Sequence, residues 1–509
     1  MTKRLLFSLV VVLPILFADA EIKPVSPVGR YVVAVESDTA RDANWMRAVS
    51  ALRTKYRATV LTYPAANPES LLPGLRRAAP RYVCFVAKPE RAGRALVVAA
   101  AQLLRRIDDD PYGDALWGIV TGYDASDALR LVSQAKPLVI QSIATSMGGP
   151  HCLDDWKSGF ASNESNRNDF WSKVSDSAPV AAQRVEPDPA QALANAFRKI
   201  PVDYWATSGH ASERNWQIIY NQNAGSLVHQ NGNLFFASSN GKRYPLVSRN
   251  PKLYLAAGNC LIGNIDRKDC MATGWIHSGG VAQMLGYTVP TFYGFMGWGT
   301  KSFFETGRYS AAEAFFLNNQ ILLWALGDSN AGLRDLKIDP KGNFDIKAFL
   351  QNLDVKPRGQ DEVGLVWDRD TVAFYGDPAW RVTYPERRRD IEISQEKNEI
   401  TLRFLREVGF PDKGRRKDYR PVALLFDTPP PPGAVVVDAA TAKPVEGAVV
   451  TELFALIPIT GQHPKGETLR FVLSLDSSFG FSRRATAGAE YAEKVSKTGI
   501  FRPQTRTLR

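Results

Sequence analysis

Short apolar runs alternate with helical segments from Tyr31 onward, and this alternation constrains the fold more than any other feature. The run Tyr31–Val35 is continuously apolar and rich in valine, as expected of a strand covered on both faces. Strand-like and helix-like segments then follow one another to about residue 328. Such alternation requires right-handed crossovers between parallel strands. The sequence therefore predicts an α/β fold with mainly parallel sheets and flanking helices.

The predicted elements fall into two subdomains, at 28–114 and 115–364. In the second, Asn231-Gly232 lies between two short polar-apolar runs, which is a strong hairpin signal. We expect this hairpin to project from the sheet and either cover or line a cleft. The predicted strands are 31–35, 58–62, 82–87, 116–121, 138–144, 202–207, 253–257 and 281–286, and the predicted helices are 42–55, 71–77, 91–106, 125–134, 189–198, 269–277 and 310–326.

After about residue 364 the pattern changes to short strand-like segments separated by glycine and proline turns. The first of these segments covers 371–375, and Pro429–Pro432 forms a stiff connector or blocks a sheet edge. Many short strands of this kind are typical of a β-sandwich. We expect a C-terminal β-sandwich at 365–480 and a loosely ordered tail at 481–509.

The first twenty residues have the pattern of a secretory signal peptide. Lys3 and Arg4 precede the apolar run Leu5–Phe17, and Ala18-Asp19-Ala20 supplies a small-x-small cleavage site. The apolar run is shorter than the roughly 20 residues that a membrane-spanning helix requires. We expect residues 1–20 to be removed, leaving a protein without a transmembrane segment that is secreted or periplasmic; a retained anchor is the alternative.

The formal net charge of +11 comes from scattered residues, with no motif that reads nucleic acid beside them. We therefore expect no nucleic-acid partner, although a basic surface suits contact with an anionic cell envelope. The 4 cysteines are too few for a disulfide framework. Each thiol is then a candidate for another role.

Two predicted strands end in residues suited to nucleophilic chemistry. The strand at 202–207 runs into Gly209-His210, and the strand at 253–257 runs into Asn259-Cys260. Open α/β sheets bind ligands at the carboxyl ends of their strands, so neighbouring strands would place imidazole and sulfur in one cleft. The thiolate is the nucleophile, and a nearby imidazole exchanges its proton near neutral pH. This context favours a catalytic His210–Cys260 pair over two unrelated structural residues.

The order of apolar strand, Ser-Gly-His, second apolar strand, small residues and Cys resembles the caspase–gingipain–legumain group of cysteine peptidases. The gingipain-like family of secreted bacterial enzymes is the most similar. Asp110–Asp114 resembles the family's acidic strand entry, and Gly376-Asp377-Pro378 resembles the turn that closes its peptidase domain. The resemblance covers about residues 31–380. It implies a caspase-like fold in two subdomains, followed by an immunoglobulin-like β-sandwich.

The resemblance implies a cysteine endopeptidase acting on proteins or peptides, with Cys260 as nucleophile and His210 as general acid/base. The oxyanion donors would be the backbone N–H groups of Cys260 and Ala211. Relatives typically have glycine near this histidine, and a positive φ would strain Ala211. Gingipains select Arg or Lys through an acidic pocket. The candidate substrate-binding residues are accordingly Asp154, Asp155 and Asp266, with Trp298 as an apolar wall.

Other interpretations stay open. His210, Cys260, Cys270 and His277 contain the ligand atoms of a tetrahedral zinc site, although the usual short spacing is absent. A Cys260–Cys270 disulfide would block catalysis. The resemblance implies no required cofactor, but gingipain-type enzymes often bind structural calcium, for which Asp108–Asp110 is a candidate. Finally, the chain could be an inactive peptidase-fold protein that serves as an exported binding or adhesion scaffold.

Overall fold

The computed structural model describes residues 30–164, 166–183, 188–218, 224–248, 250–386, 389–411 and 418–475. The expected signal peptide at 1–20 and the expected tail at 481–509 lie outside these residues. Among the described helices, none has both the length and the apolar composition needed to cross a membrane.

The first part of the chain alternates strands and helices as the sequence predicts. Asp42 accepts a hydrogen bond from Asn44 at the start of one helix, and Asp124 forms a capping box with Asp127 at the start of another. The elements are β1 (Tyr31–Glu36), α1 (Ser37–Ala40), α2 (Ala43–Tyr56), β2 (Thr59–Tyr63), α3 (Leu72–Ala78), β3 (Tyr82–Val86), α4 (Arg94–Leu103), β4 (Leu116–Val120) and α5 (Ala125–Val132), with 3-10 helices at Pro68–Leu71 and Pro89–Arg91.

The second part contains most of the helices and the strands that carry the candidate site. Its elements are β5 (Leu138–Val139), β6 (Ser142–Thr145), β7 (Ser158–Asn163), β8 (Asn166–Lys173), β9 (Ala181–Ala182), α6 (Pro189–Lys199), β10 (Tyr204–Thr207), β11 (Asn215–Gln217), β12 (Ser226–Gln230), β13 (Asn233–Ala237), β14 (Arg243–Leu246), β15 (Lys252–Ala256), α7 (Met271–His277), β16 (Val281–Tyr287), α8 (Phe295–Glu305), α9 (Ala311–Asp335), α10 (Ile346–Gln351), α11 (Gln360–Asp368), β17 (Val372–Tyr375) and β18 (Val382–Thr383), with a 3-10 helix at Pro150–Leu153.

Both parts share one 12-stranded sheet, in the order β2-β1-β3-β4-β17-β16-β15-β10-β6-β7-β8-β9. Most neighbouring strands are parallel, as predicted, but β16 and β17 are antiparallel. β17 pairs with β4 at one residue, Tyr375 opposite Ile119, and is followed by Asp377, which accepts a hydrogen bond from Tyr31 at the start of β1. The carboxyl ends of β3 and β16 lie at one edge of the sheet, because Arg94, just after β3, donates to the carbonyl of Thr288, just after β16. The segment at 371–375 was predicted to be the first of the C-terminal strands, because it is short and apolar like them. It instead forms β17 inside the 12-stranded sheet. The α/β part therefore extends at least to Tyr375.

The predicted hairpin is confirmed. β12 and β13 are joined by Asn231 and Gly232, whose φ values of 51° and 77° suit a tight turn with two left-handed residues. With β11 and β14 they form a separate 4-stranded sheet that packs on α6 and α7. Gly232 lies against Tyr123 and His277, just before the amino end of β16. The hairpin tip therefore lies between the start of α5 and the end of α7.

A buried aspartate fixes the end of β17. Gly376 has a φ of 115°, and the following Asp377 is 1% exposed. Its carboxylate accepts hydrogen bonds from the hydroxyls of Tyr31 at 2.9 Å and Tyr56 at 2.7 Å, and from Lys55 Nζ at 3.2 Å. These bonds explain the Gly-Asp-Pro sequence, because they tie the turn after β17 to β1 and α2.

The C-terminal part is antiparallel. A 5-stranded and a 3-stranded sheet share a second core, and Arg81 and Tyr309 donate hydrogen bonds to the carbonyls of Phe426 at 2.6 Å and Ala423 at 2.5 Å, which hold this part against the α/β part. An immunoglobulin-like arrangement stays a prediction. The strands are β19 (Ile391–Glu396), β20 (Glu399–Phe404), β21 (Val408–Phe410), β22 (Val422–Leu425), β23 (Val435–Asp438), β24 (Lys443–Pro444), β25 (Val449–Val450), β26 (Phe454–Ile457), β27 (Gly461–His463) and β28 (Thr468–Ser474).

Candidate active site

The strands that lead to His210 and Cys260 are direct neighbours in the central sheet. β10 and β15 pair in parallel, with Thr207 opposite Ala256 at the end of their ladder. His210 follows the end of β10, and Cys260 follows the end of β15. Both residues therefore leave the sheet at the same carboxyl edge, where open α/β sheets bind ligands.

Asn259 joins the two strand ends. Its side chain is 0% exposed, and Nδ2 donates to the carbonyls of Ser208 at 2.8 Å and Gly209 at 3.2 Å. Its Oδ1 accepts a hydrogen bond from the Thr207 hydroxyl at 2.5 Å. These three bonds fix the turn before His210 relative to the residue before Cys260. The sequence contains Asn259 in the quoted Gly-Asn-Cys motif, but nothing local reveals that it spans both strands.

The sulfur of Cys260 faces the backbone of Thr291. The Thr291 N–H donates to Sγ at 3.3 Å, and Sγ lies 3.8 Å from the Thr291 carbonyl oxygen. Leu261, directly after the cysteine, has a φ of 59°, a left-handed conformation that is costly for a residue with a side chain. Cys260 is partly exposed and thus accessible.

The turn before His210 uses a glycine for its left-handed residue. Gly209 has a φ of 96°, while Ala211 does not adopt a positive φ. The His210 carbonyl accepts a hydrogen bond from the Gln217 N–H at 2.9 Å, and Ala211 pairs with Trp216 in an antiparallel bridge. The positive φ that would strain Ala211 is instead adopted by Gly209, which has no side chain and tolerates it. Ala211 keeps a backbone N–H without a distorted backbone.

Glu164 places a carboxylate beside this turn, a position that its local sequence does not predict. It lies in the turn between β7 and β8, where its N–H donates to the Ser146 carbonyl at 3.0 Å. Its Oε2 lies 3.1 Å from the position that a Cβ on Gly209 would occupy. Burial raises the pKa of Glu164, and a hydrogen bond from Ser208 partly opposes that shift. Only the pairing of β6, β7 and β8 brings this residue to the site, so no local signal marks it.

Trp298 lies on α8 next to the strand end that carries Cys260. Its side chain is 41% exposed, and its Cζ2 lies 3.3 Å from the position of a Cβ on Gly258. A Cβ on Gly297 would lie 2.0 Å from the Ala257 carbonyl, so the glycine before Trp298 lets α8 approach β15 closely. The predicted apolar wall is thus adjacent to the candidate nucleophile.

The structure places the predicted acidic residues elsewhere. Asp154 and Asp155 precede β7, whose first residue pairs with the first residue of β6, so they lie toward the opposite edge of the sheet. Asp154 is exposed and lies 3.3 Å from His151 Nδ1. Asp266 forms an ion pair with Arg214 at 2.5 Å. Asp154 and Asp155 are therefore not brought to the turn that carries His210, and Asp266 is paired with Arg214 four residues after it, whereas Glu164 lies beside the turn itself.

The zinc and disulfide arrangements are not formed. The thiols of Cys260 and Cys270 are free, and His277 Nδ1 instead lies 2.9 Å from Asp127 Oδ2. Among the described residues, the groups of three close potential metal ligands include neither cysteine nor His210. Cys270 is buried at the start of α7, which accounts for it as a structural residue.

The acidic run at 108–110 does form part of a carboxylate cluster. Oxygens of Asp108, Asp110 and Asp114 lie within 4.8 Å of one another. Asp114 Oδ2 accepts from the N–H groups of Ile107 at 2.8 Å and Asp108 at 3.3 Å, which shapes the loop. Such a set of hard oxygen donors fits calcium, which binds through carboxylate and carbonyl oxygens.

Comparison with known proteins gives a loose structural similarity and no sequence relationship. No family model matches the chain, and no curated protein matches it. Among solved structures, the Arg-specific cysteine proteinase gingipain R aligns over 89% of this chain and 95% of its own, with a TM-score of 0.39 and 10% identity. A structure described only as a protease aligns over 88% and 95%, with a TM-score of 0.35 and 9% identity. At these scores the similarity transfers no residue role, and any function must be argued from the site.

Proposed function

We propose that this protein is a cysteine endopeptidase in which Cys260 is the nucleophile and His210 is the general acid/base. The observation that carries the proposal is the parallel pairing of β10 with β15, which sends both residues from one edge of the sheet. The Asn259 side chain, bonded to both strand ends, keeps that arrangement rigid. Rigid placement of reacting groups is a large part of enzymatic rate enhancement.

The acylation step follows from this arrangement. The Cys260 thiolate attacks the scissile carbonyl carbon, and the negative charge passes to the carbonyl oxygen. The backbone N–H groups of Cys260 and Ala211 are the proposed donors to that oxyanion. When the C–N bond breaks, protonated His210 gives its proton to the departing amine, and a thioester to Cys260 remains.

Deacylation reverses the roles of the same groups. Neutral His210 takes a proton from a water molecule that attacks the thioester carbonyl, and the resulting tetrahedral intermediate uses the same N–H donors. The C–S bond then breaks, which releases the carboxylic acid product and returns the Cys260 thiolate beside protonated His210. Thr291 N–H, 3.3 Å from the sulfur, stabilises the thiolate as a leaving group.

The surroundings of the pair favour a basic residue just before the scissile bond. Trp298 supplies an exposed aromatic face next to Gly258, and Glu164 supplies a carboxylate next to Gly209. Arg and Lys combine a long apolar stem with a cationic head, so they suit both surfaces at once. Asp154 and Asp155 lie toward the opposite edge of the sheet, and Asp266 is engaged by Arg214.

Four wider expectations belong to the same proposal. The protein acts after export, in the periplasm or outside the cell, on protein or peptide substrates. Its C-terminal sheets serve as an immunoglobulin-like β-sandwich, and its basic surface suits an anionic cell envelope. Calcium bound by Asp108, Asp110 and Asp114 would brace the loop before β4. Removing calcium with a chelator should then lower the melting temperature, and restoring it should reverse the change.

The test uses fluorogenic peptides with Arg, Lys, Asp or Asn before the reporter. The wild-type chain should cleave the basic peptides, and both Cys260→Ala and His210→Ala should abolish cleavage. Cys152→Ala is the matched control, because this second partly exposed thiol only donates to the Gly149 carbonyl at 2.9 Å. Iodoacetamide should label Cys260 faster in wild type than in His210→Ala. No cleavage, together with ordinary Cys260 reactivity, would favour the inactive binding scaffold instead.

A further inference from the structure

A crevice of about 390 Å³ lies outside the carboxyl ends of β1 and β3. We call it the β1–β3 crevice. Its most buried charged residue is Glu36, the last residue of β1. The crevice lies in the half of the sheet that does not carry His210. Its lining includes Glu36, Tyr63, Glu90, Arg91, Arg94 and Phe344.

The position of this crevice follows from the strand order. From β1 the chain moves outward to β2, whereas from β3 it moves in the other direction to β4. Right-handed crossovers in opposite directions place their helices on opposite faces of a sheet. Accordingly α2 packs against α5, and α4 packs against the 3-10 helix at Pro68–Leu71. The loops after β1 and β3 therefore diverge, and such switch points are where open α/β sheets bind ligands.

Glu36 presents a buried carboxylate oxygen to this crevice. The residue is 2% exposed, and its Oε1 accepts a hydrogen bond from the Ala66 N–H at 2.8 Å. Oε2 is buried and accepts no hydrogen bond from any residue that the structure describes. Buried carboxylates are normally paired and hydrogen-bonded, because desolvation of the charge is costly. An oxygen left without a donor at a ligand-binding position indicates a donor supplied from outside the chain.

Two arginines border the carboxylate without satisfying it. Arg91 Nε lies 3.7 Å from Oε2, beyond hydrogen-bonding distance, and the Arg91 side chain is 50% exposed. Arg94 is committed elsewhere, since its Nε and Nη2 donate to the Thr288 carbonyl at 2.8 Å and 2.5 Å. Arg91 is thus the movable cation that covers Glu36, and an exposed side chain is displaced at low cost.

The remaining walls suit a cation with an organic stem. Tyr63 and Phe344 are both largely buried and line the same crevice. The guanidinium of Arg94 already lies 5.0 Å from the centre of the Phe344 ring, in a cation–π contact. Ala66, whose N–H holds Glu36, has a φ of 56°, so the crevice is bordered by a strained loop of the kind found at binding sites.

We propose that the β1–β3 crevice binds a small organic cation, carrying a primary ammonium or guanidinium group, on Glu36 Oε2. The cation replaces Arg91 as the partner of the carboxylate and donates the missing hydrogen bond, while its stem lies on the aromatic walls. A charged donor is required, because a neutral hydroxyl would leave the buried carboxylate without a counter-ion. This site is separate from the proposed peptidase function and does not depend on it.

The test is a binding titration of the purified chain by ligand-observed NMR, with agmatine and n-butylamine as cations and n-butanol as the neutral counterpart. Agmatine should bind saturably, and n-butylamine should bind where n-butanol does not. Glu36→Gln keeps an acceptor for Ala66 but loses the charge, so agmatine binding should weaken by about tenfold or more. Arg91→Ala should tighten binding several-fold, because the competing cation is removed.

Glu90→Gln is the matched control, because this exposed carboxylate lines the same crevice but does not hold the buried oxygen. Its agmatine affinity should stay within about twofold of wild type. Equal affinity of wild type and a folded Glu36→Gln would overturn the proposal, as would equal binding of n-butylamine and n-butanol. If Glu36→Gln does not fold, Arg91→Ala decides, and unchanged or weaker binding by that variant would refute the site.

Discussion

Replacing Asn259 with alanine should damage catalysis far more than its effect on stability suggests. The change removes three hydrogen bonds between the ends of β10 and β15, at 2.5, 2.8 and 3.2 Å. The Ser208 carbonyl keeps its bond from Trp216 Nε1, and the Thr207 hydroxyl keeps its bond with Tyr254. The substitution therefore removes the link between the two strands, while Ser208 and Thr207 each keep one hydrogen bond.

The expected magnitudes follow from these contacts. At about 1 kcal/mol net for each hydrogen bond, with a small cavity added, Asn259→Ala should lower the free energy of unfolding by about 2–4 kcal/mol. Without the link, the turn carrying His210 is free to shift relative to Cys260. A displacement of about 1 Å costs roughly a hundredfold in rate. We expect kcat/KM to fall by about that factor at a temperature where the variant is fully folded.

Asn250→Ala is the matched control, since Asn250 lies at the opposite edge of the same strands. Its Nδ2 donates to the Val202 carbonyl at 2.5 Å, and its Oδ1 accepts from the Ser248 hydroxyl at 2.6 Å. This variant should lose about 1–2 kcal/mol and keep kcat/KM within about twofold. Urea unfolding and peptide hydrolysis measure the two effects. If Asn259→Ala loses stability but keeps its full activity, or if Asn250→Ala is equally inactive, the proposed role of Asn259 is wrong.

Three further predictions follow from single contacts. Glu164→Gln should lower kcat/KM for Arg and Lys peptides while hydrolysis of a Leu peptide stays unchanged; an equal loss for all three peptides would argue against a charge-recognition role. Asp377→Ala should destabilise the protein by about 3–5 kcal/mol in urea unfolding, because it leaves the buried Lys55 ammonium without its counter-charge. Burial raises the pKa of Asp368 to about 7, so its carboxyl takes up a proton on folding and the free energy of unfolding should fall as pH rises from about 4 to about 7. Asp368→Asn should remove up to roughly 1.4 kcal/mol per pH unit of that slope in melts across this range, whereas Asp361→Asn should not.

The sequence predicted the features that local patterns encode. Continuous apolar runs identified the strands β1, β3, β10 and β15, because a strand covered on both faces needs no polar alternation. Asn231-Gly232 located a hairpin turn, because both positions require left-handed residues. The placement of His210 and Cys260 at strand ends was likewise readable, since strand limits and residue identity are both local. The segment predicted as one strand at 138–144 is instead the two short strands β5 and β6.

The features that the sequence did not predict depend on pairing between distant segments. Glu164 reaches the turn before His210 only because β6 lies between β10 and β7. Asn259 has no recognisable role until β10 and β15 are known to be neighbours. The segment forming β17 has the same short, apolar texture as the C-terminal strands, and only its partners β4 and β16 assign it to the central sheet. Texture specifies a strand but not the neighbours with which it pairs.

The loop that follows Cys260 runs along the carboxyl edge of the sheet from β15 toward β3 and β1. It leaves β15 at Cys260 and stays beside the end of β16, where the N–H groups of Leu261 and Gly263 donate to the carbonyls of Val289 at 3.1 Å and Tyr287 at 3.0 Å. On the way, the Gly263 carbonyl accepts a hydrogen bond from the Tyr375 hydroxyl at 2.8 Å, and Ile265 lies against Gly93. Residues 264–266 then form one wall of the β1–β3 crevice.

The same loop is bonded to the segment that follows His210. Asn264 Nδ2 donates to Glu213 Oε1 at 3.0 Å, and Asp266 forms its ion pair with Arg214. A crevice wall made of these residues cannot move without affecting contacts to both catalytic segments. The carboxyl edge shared by β1, β3, β10 and β15 thus places the proposed cation site close to the candidate active site.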